Sequence, residues 1–499
     1  MHGHLFAPNT ASLGFGLFTA VAMLMGGGAF PLLPVEFQTF EVLLRFNGIQ
    51  MGCEVATLLV GAFASYRRPL LPGYGAVVGC APLMCAGSGC LFVALYAPQL
   101  TPVLVTLAAV LLGIGAGMFV LLWQRTFAAQ EFNAGALNII VGTALAAPLY
   151  VGMSLLPAAV ATLAVTFLFI PLIGVCLIDQ GRRVSLDQPM FVDEPRAHAK
   201  VYSHAIGKNW LSALCTGGIA FAGGIARAVT LEDPVMGPVV NYFSMGGVLL
   251  AAVALVLLWR RSTFRFNTVR AFKAAFPVAV SAFVLLPYLN DTFLRCFAGL
   301  AWAGFTFLLM VLMIQCAQVS HSAGVNPVVL YGCFGAIVFA FQTLGFATGY
   351  VSPHLFDDRP LQLTTMSLSA VWVLALVMYQ VGKRSDAKQE TREGAEFIAL
   401  EPVAEQDSTR KLRRTAKSVD EQDFKDRLSK QCAVLAERYL LTVREGEVLE
   451  LMARGNTVPR MAELLVISEN TVKTYTKRLY TKLGIHKREE LLRLLEEVG

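Results

Sequence analysis

ISENTVKTYTKRLYTKL, Ile467 to Leu483, is the stretch from which the rest of the chain is best understood. Ser468 carries a hydroxyl suited to capping a helix, and Asn470 and Thr471 fall in the first turn after it. Val472, Leu479 and Leu483 recur at helical spacing and define one apolar face. Lys473, Lys477 and Arg478 fall on the opposite side, with Lys482 a turn later. From Glu469 to Arg488 the cations Lys473, Lys477, Arg478, Lys482, Lys487 and Arg488 stand against little acid. A capped helix with one greasy face and one cationic face can pack inward and meet a polyanion outward.

Working upstream, Thr442 and Glu445 are spaced as a capping box, in which each satisfies the other's backbone N–H. Val448, Leu449, Leu451 and Met452 give that first helix its buried face, and Gly455 ends it. Thr457 caps a second helix, Pro459 falls in its first turn, and Met461, Ala462, Leu464 and Leu465 bury it. A short turn at Val466–Ile467 leads into the basic helix. Two short helices with the second presented outward are the helix-turn-helix plan. Before them, Phe424–Leu441 regains helical spacing through Leu428, Cys432, Leu435 and Tyr439.

With Leu441, Thr442, Arg444, Glu445, Glu447, Val448, Leu449, Gly455, Ala462, Leu465, Ile467, Ser468, Thr471, Val472, Lys473, Lys482 and Leu483 in this order, the tail resembles the LuxR/NarL-type DNA-binding domain of bacterial regulators. The resemblance spans roughly Leu441 to Glu497. It implies a four-helix unit that binds double-stranded promoter DNA, at inverted repeats, as a homodimer through this domain. It also implies that Lys473, Thr474 and Lys477 face bases in the major groove. Ser468, Asn470, Thr471 and Lys482 would then position the helix, several of them through phosphates. The departures are Tyr475, where the family usually has His, and Gly446 inside the first helix, which costs about 1 kcal/mol of helix preference.

The remainder of the chain has a different character. Of 499 residues, 56% are hydrophobic and only 15% charged, against about 25% charged in an ordinary soluble domain. The mean hydropathy is +0.59. Charges are sparse before Lys383 and dense after it, which divides a membrane part from a polar tail. All of the ten cysteines except Cys432 lie in or beside apolar runs, with no CxxC or Cys/His metal spacing, and are expected to pack as small apolar groups. No metal or cofactor is expected. The start lacks a basic n-region, so no cleavable signal peptide is expected.

A bilayer-spanning helix needs roughly 20 apolar residues, and about twelve such runs lie between residues 12 and 382. The seventh, near 209–229, is the weakest, and the fifth and sixth meet at Pro157. The runs after even-numbered spans carry Arg67, Arg68, Arg125, Arg182, Arg183, Arg260, Arg261, Arg265, Arg270 and Lys273, while the opposite loops are poor in Lys and Arg. The positive-inside rule then puts both termini in the cytoplasm of a multi-pass inner or plasma membrane protein. The longest inter-helix stretch, Asp179 to Lys208, divides the runs six and six. That division resembles the major facilitator superfamily, whose halves are related repeats. The family's Gly-x-x-x-Asp-Arg signature is met here by GAFASYRRPLLPG, which has Gly61, Arg67 and Arg68 but no Asp. Gly26–Gly28 and Gly113–Gly117 are expected to allow close helix approach.

Ionisable groups inside a bilayer are costly and mark candidate sites. Glu54 in the second run, Arg227 in the seventh and Arg295 in the tenth come from both halves, in the outer part of the bundle. They are candidate contacts for a small-molecule inducer, with Gln342 a further one. No catalytic constellation is apparent. The fold class expected is all-α: residues 1–384 form a transmembrane bundle, 385–423 a flexible charged linker, and 424–499 the helix-turn-helix domain with its leading helix. Neither a receiver domain with a phospho-acceptor Asp nor a soluble ligand domain is recognisable upstream of the tail, which leaves the bundle or a partner as sensor. The expected function is a membrane-bound one-component transcriptional regulator. The alternative is an active transporter carrying a regulatory DNA-binding or protein-interaction tail.

Overall fold

The computed structural model describes residues 9–25, 31–68, 74–184, 188–192, 195–196, 198–229, 237–260, 265–266, 268–356, 358–390, 398–399, 431–439, 441–453, 458–465, 469–485, 490–491 and 494–495. Nearly all of them are helical, because a chain in hydrocarbon must satisfy its backbone internally. The apolar helices are α1 (Thr10–Met25), α2 (Phe40–Arg67), α3 (Tyr74–Ala94), α4 (Thr101–Ala129), α5 (Phe132–Ser154) and α6 (Ala158–Arg183). They continue as α7 (Ala199–Val229), α8 (Gly237–Arg260), α9 (Thr268–Leu285), α10 (Asp291–Ala323), α11 (Pro327–Leu355) and α12 (Arg359–Glu390). Among the described residues, 10 helices are long and apolar enough to cross a membrane, while Thr10–Met25 and Gly79–Ala94 are shorter apolar helices. Each expected run overlaps one of these helices, the first only in part, since residues 31–33 form a turn beyond α1.

Several helices outrun their apolar stretches because polar residues stabilise the ends. α2 begins at Phe40, where Thr39 caps it and Glu41 pairs with Arg45 at 2.7 Å. Glu54 therefore stands near the middle of α2. α6 runs to Arg183, whose guanidinium meets Asp179 one turn back at 3.1 Å, and α7 begins at Ala199. The stretch between the halves thus narrows to residues 184–198. Within it, Met190 and Phe191 are buried against Ala128, Ala129 and Ala317, and Arg125 lies 4.8 Å from the Phe191 ring centroid.

Packing repeats between the halves. In the first, α1 lies on α5 and α6, and α4 on α2 and α3; in the second, α7 lies on α11 and α12, and α10 on α8 and α9. The halves meet chiefly along two seams, α2 against α11 and α5 against α8, which are equivalents under the same repeat, with α4 also touching α10 and α11, where Gln124 Nε2 donates to the Met313 carbonyl at 2.8 Å. Close approach rests on glycines. A Cβ at Gly113 would fall on the Gln50 carbonyl, one at Gly117 within 2.8 Å of Thr57, and one at Gly345 on the Phe221 carbonyl. Gly26–Gly28 lie outside the described residues. Of the spanning window in α7, 94% is buried. A helix sheathed by its neighbours can be built from small residues such as Gly217, Gly218, Gly223 and Gly224, which explains its weak hydropathy signal.

The tail has a core of its own. Residues 431–438 are helical, followed by α13 (Val443–Ala453), α14 (Val458–Leu465) and α15 (Glu469–Leu483). Cys432, Leu435, Val448, Leu449, Met461, Val472, Leu479, Leu483, Leu491 and Leu495 are buried together. Leu428, Gly455, Thr457 and most of the linker at 385–423 lie outside the described residues. The exceptions are residues 385–390, which are helical as the end of α12, so the expected linker starts later than 385, and Ile398–Ala399, which pairs antiparallel with Arg265–Phe266.

Candidate nucleic-acid interface and membrane-embedded charges

α13 starts as its sequence requires. The Thr442 N–H donates to Glu445 Oε2 at 2.8 Å, and the Glu445 N–H donates to Thr442 Oγ1 at 3.4 Å. The same Glu445 oxygen accepts from Lys482 Nζ at 2.7 Å, with side-chain exposures of 4% for the acid and 37% for the amine. The Lys482 hydrogen bond, with that from Thr442, holds the Glu445 carboxyl below the usual range. One carboxylate thus closes the cap of α13 and fastens the far end of α15 to it. Lys482 is engaged inside the domain, a role its sequence position alone does not reveal.

α15 presents its two faces as the spacing predicts. Val472 and Leu479 are fully buried, and Thr476 donates to the Val472 carbonyl at 3.0 Å while lying 3.8 Å from Met452 Sδ. Lys473, Thr474, Lys477 and Arg478 are exposed, and Thr471 is half-buried. Ser468 lies outside the described residues, as does the side chain of Asn470. Gly484 ends the helix at φ +68°, and the Ile485 N–H reaches the Tyr480 carbonyl at 3.1 Å. This left-handed turn is one that a side chain rarely adopts. Beside the exposed lysines runs an open concavity of about 580 Å³, with Val458, Lys473, Thr476, Lys477, Tyr480 and Thr481 in its lining. Tyr480 and Thr481 were not among the expected site residues. The signal for them is their helical spacing of three to four residues from Lys477.

In the bundle, the expected charges lie apart. Arg227, 4% exposed, donates from Nη2 to Asn241 Oδ1 at 2.6 Å and from Nη1 to Ser244 Oγ at 3.1 Å, both on α8. Its Cζ sits 4.6 Å from the Trp302 ring centroid on α10. Tyr150 of α5 lies beside the same Asn241, so this group occupies the α5–α8 seam. Glu54, half-buried, neighbours Tyr331 across the other seam, α2–α11. Arg295 is half-buried one turn into α10. Among the described residues no ion pair joins these three groups. Gln342 is buried, and a Cβ at Gly224 would come within 2.5 Å of its carbonyl.

Residues 439–495 match the family "Bacterial regulatory proteins, luxR family". The tail is 43% identical over 61 residues to the spore germination protein GerE of Bacillus subtilis, covering 11% of this chain and 82% of that protein. The chain belongs to the LuxR family of bacterial regulatory proteins.

A second relative is the probable transcriptional regulatory protein NarL of Mycobacterium tuberculosis, 45% identical over 49 residues, which are 10% of this chain and 23% of that protein's length. The membrane bundle of this LuxR-family chain resembles the Escherichia coli fucose:proton symporter. That likeness has a TM-score of 0.44 and 13% identity, over 74% of this chain and 97% of that one. The family match covers the capped, braced unit from Tyr439 to Leu495, so Thr442, Glu445, Lys473, Lys477 and Lys482 all lie inside it.

Proposed function

We propose that the chain is a membrane-bound one-component transcriptional regulator. Its tail binds promoter DNA through α15, and its helix bundle responds to a small molecule or a membrane state. The observation that carries this is the exposed pair Lys473 and Lys477, one turn apart on a helix whose opposite face is locked into a LuxR-family core. In this reading Lys473, Thr474 and Lys477 enter the major groove, and Ser468, Asn470 and Thr471 set its register through nearby phosphates. Lys482 positions the helix through Glu445. Two tails bind an inverted repeat as a homodimer. Residues 1–384 anchor the protein with both termini in the cytoplasm, and 385–423 tether the tail. The direct test is a gel shift with the tail on promoter fragments at low salt. Wild type shifts a specific fragment, and Lys473→Ala with Lys477→Ala abolishes the specific shift. A wild-type tail that shifts nothing under those conditions removes the main support.

A second reading, active transport with a regulatory tail, is favoured by Arg227 and Glu54 on the two seams between the halves. Substrate flux in proteoliposomes that disappears with Arg227→Ala or Glu54→Ala would establish it.

A further inference from the structure

At the C-terminal end of α2 a concavity of about 440 Å³ is lined by Ala64, Arg67, Arg68 and Arg196. Two of the arginines belong to the first half. Arg196 belongs to the connector just before α7, so the site bridges the halves at the end of a seam. It is held in shape from several sides. Arg67 Cζ lies 4.3 Å from the Phe63 ring centroid, and the Arg68 N–H closes the helix on the Ala64 carbonyl at 2.9 Å. Tyr66 packs edge-on against Tyr202 of α7 at 6.1 Å, and Tyr202 Oη accepts the Asn326 N–H at 2.9 Å, which ties in α11. Gly332 of α11 lies so close to α2 that a Cβ would come within 2.8 Å of Ala62 and the Leu58 carbonyl.

Three guanidinium groups around one opening repel each other. Among the described residues none of the three is met by a carboxylate. Arginine remains charged and offers forked N–H donors that match phosphate oxygens, in a way a lysine cannot. We propose that this opening is a binding site for a phosphate group and that its occupation pins α2 to the connector, stabilising the arrangement of halves seen here. The phosphate comes from an anionic phospholipid headgroup or from a soluble phosphate ester. A basic opening at the end of a spanning helix, on the side the membrane reading places in the cytoplasm, suits the first, and a small open mouth also admits the second. The inference rests on the membrane reading above, and its test involves no DNA, so either can fail alone.

The test uses the full-length protein in two arms. In lipid nanodiscs, retained phospholipid is read by native mass spectrometry, and the thermal midpoint is read with and without cardiolipin in phosphatidylcholine. In lipid-free detergent, the midpoint is read against inorganic pyrophosphate. Cardiolipin or pyrophosphate should raise the midpoint of the wild type. Arg67→Gln, Arg68→Gln and Arg196→Gln together should weaken binding at least about tenfold, the size expected for losing charge-assisted phosphate contacts. Arg182→Gln, Arg183→Gln and Arg270→Gln, an equal loss of charge elsewhere, should weaken it less than about twofold, because dispersed surface charge is screened. Arg196→Gln alone, outside the helices, carries the same test should the triple variant misfold. A response to cardiolipin alone assigns the lipid, and a response to pyrophosphate extends the site to soluble phosphates. No response to either ligand, or an equal loss in the two triple variants, overturns the proposal.

Discussion

Removing the Glu445 carboxylate should loosen the whole tail, because it joins two helices with one oxygen. Glu445→Ala loses the cap bond to Thr442, worth about 1 kcal/mol. It also loses the Lys482 pair at 2.7 Å, which with the amine 37% exposed is worth about 1 kcal/mol. Against a total of about 3–10 kcal/mol for a domain of this size, a loss of about 2 kcal/mol is large. It should lower the thermal midpoint of the isolated tail by about 8–16 °C. A double-mutant cycle with Glu445→Gln and Lys482→Met, followed by urea unfolding, should give a coupling of about 1 kcal/mol. The pH dependence has a definite sign. The folded Glu445 carboxyl is held below its usual value, chiefly by Lys482, so its contribution is complete above the unfolded value of about 4.3. It fades as pH falls through the lower folded value, and the gap between wild type and Glu445→Gln should close in the same range. A coupling below about 0.3 kcal/mol at pH 7, or a gap that widens on acidification, would refute the brace.

Four further outcomes follow, three in the tail and one in the bundle. Lys473→Ala and Lys477→Ala should each cost about 1–3 kcal/mol at a specific site if they touch bases, and should lower the salt slope by about 1 if they touch phosphate. Lys482→Gln, engaged with Glu445, should leave that slope unchanged and lower only the domain's midpoint. Gly484→Ala puts a side chain at φ +68° and should cost about 1 kcal/mol in tail unfolding. Gly345→Ala drives a methyl group onto the Phe221 carbonyl and should cost about 1–3 kcal/mol, read as a lower midpoint of the full-length protein in detergent.

The tail was legible because its information is local. Caps, apolar period and the outward lysines lie within a few residues of one another, so Thr442, Glu445, Val472 and Leu479 behave as their spacing dictates. Lys482 shows where that logic stops: its partner stands 37 positions away, and pairing across a fold leaves no periodic trace. In the bundle, hydropathy located each apolar helix but misjudged its ends. Ion pairs such as Glu41–Arg45 and Asp179–Arg183 continue a helix beyond the apolar run. Hydropathy also undervalued α7, since a helix wrapped by other helices needs small residues more than greasy ones. Glu54, Arg227 and Arg295 could be picked out as costly charges. Their distribution over separate places depends on which helices meet, and that is a tertiary fact.

That distribution bears on how the bundle could act as a sensor. Arg227 hangs on Asn241 and Ser244 of α8 and on Trp302 of α10, beside Tyr150 of α5, while Glu54 stands at the α2–α11 seam. A rocking of one half against the other must rearrange both seams together, because they are equivalents under one repeat. Exposing or re-pairing a buried guanidinium changes the free energy by several kcal/mol, ample to bias two arrangements that differ by little. A ligand need therefore touch only one seam to be felt at the other. In the regulator reading proposed above, α12 is the route by which that change would reach the tail: its Arg384 Nη2 donates to the Lys208 carbonyl of α7 at 3.3 Å, which ties the helix leading to the tail to the half that holds Arg227. Arg384→Ala should then uncouple ligand response from DNA binding while leaving both separately intact, measured as ligand-induced thermal shift and gel shift on the same protein. If the response persists undiminished in that variant, α12 is not the route.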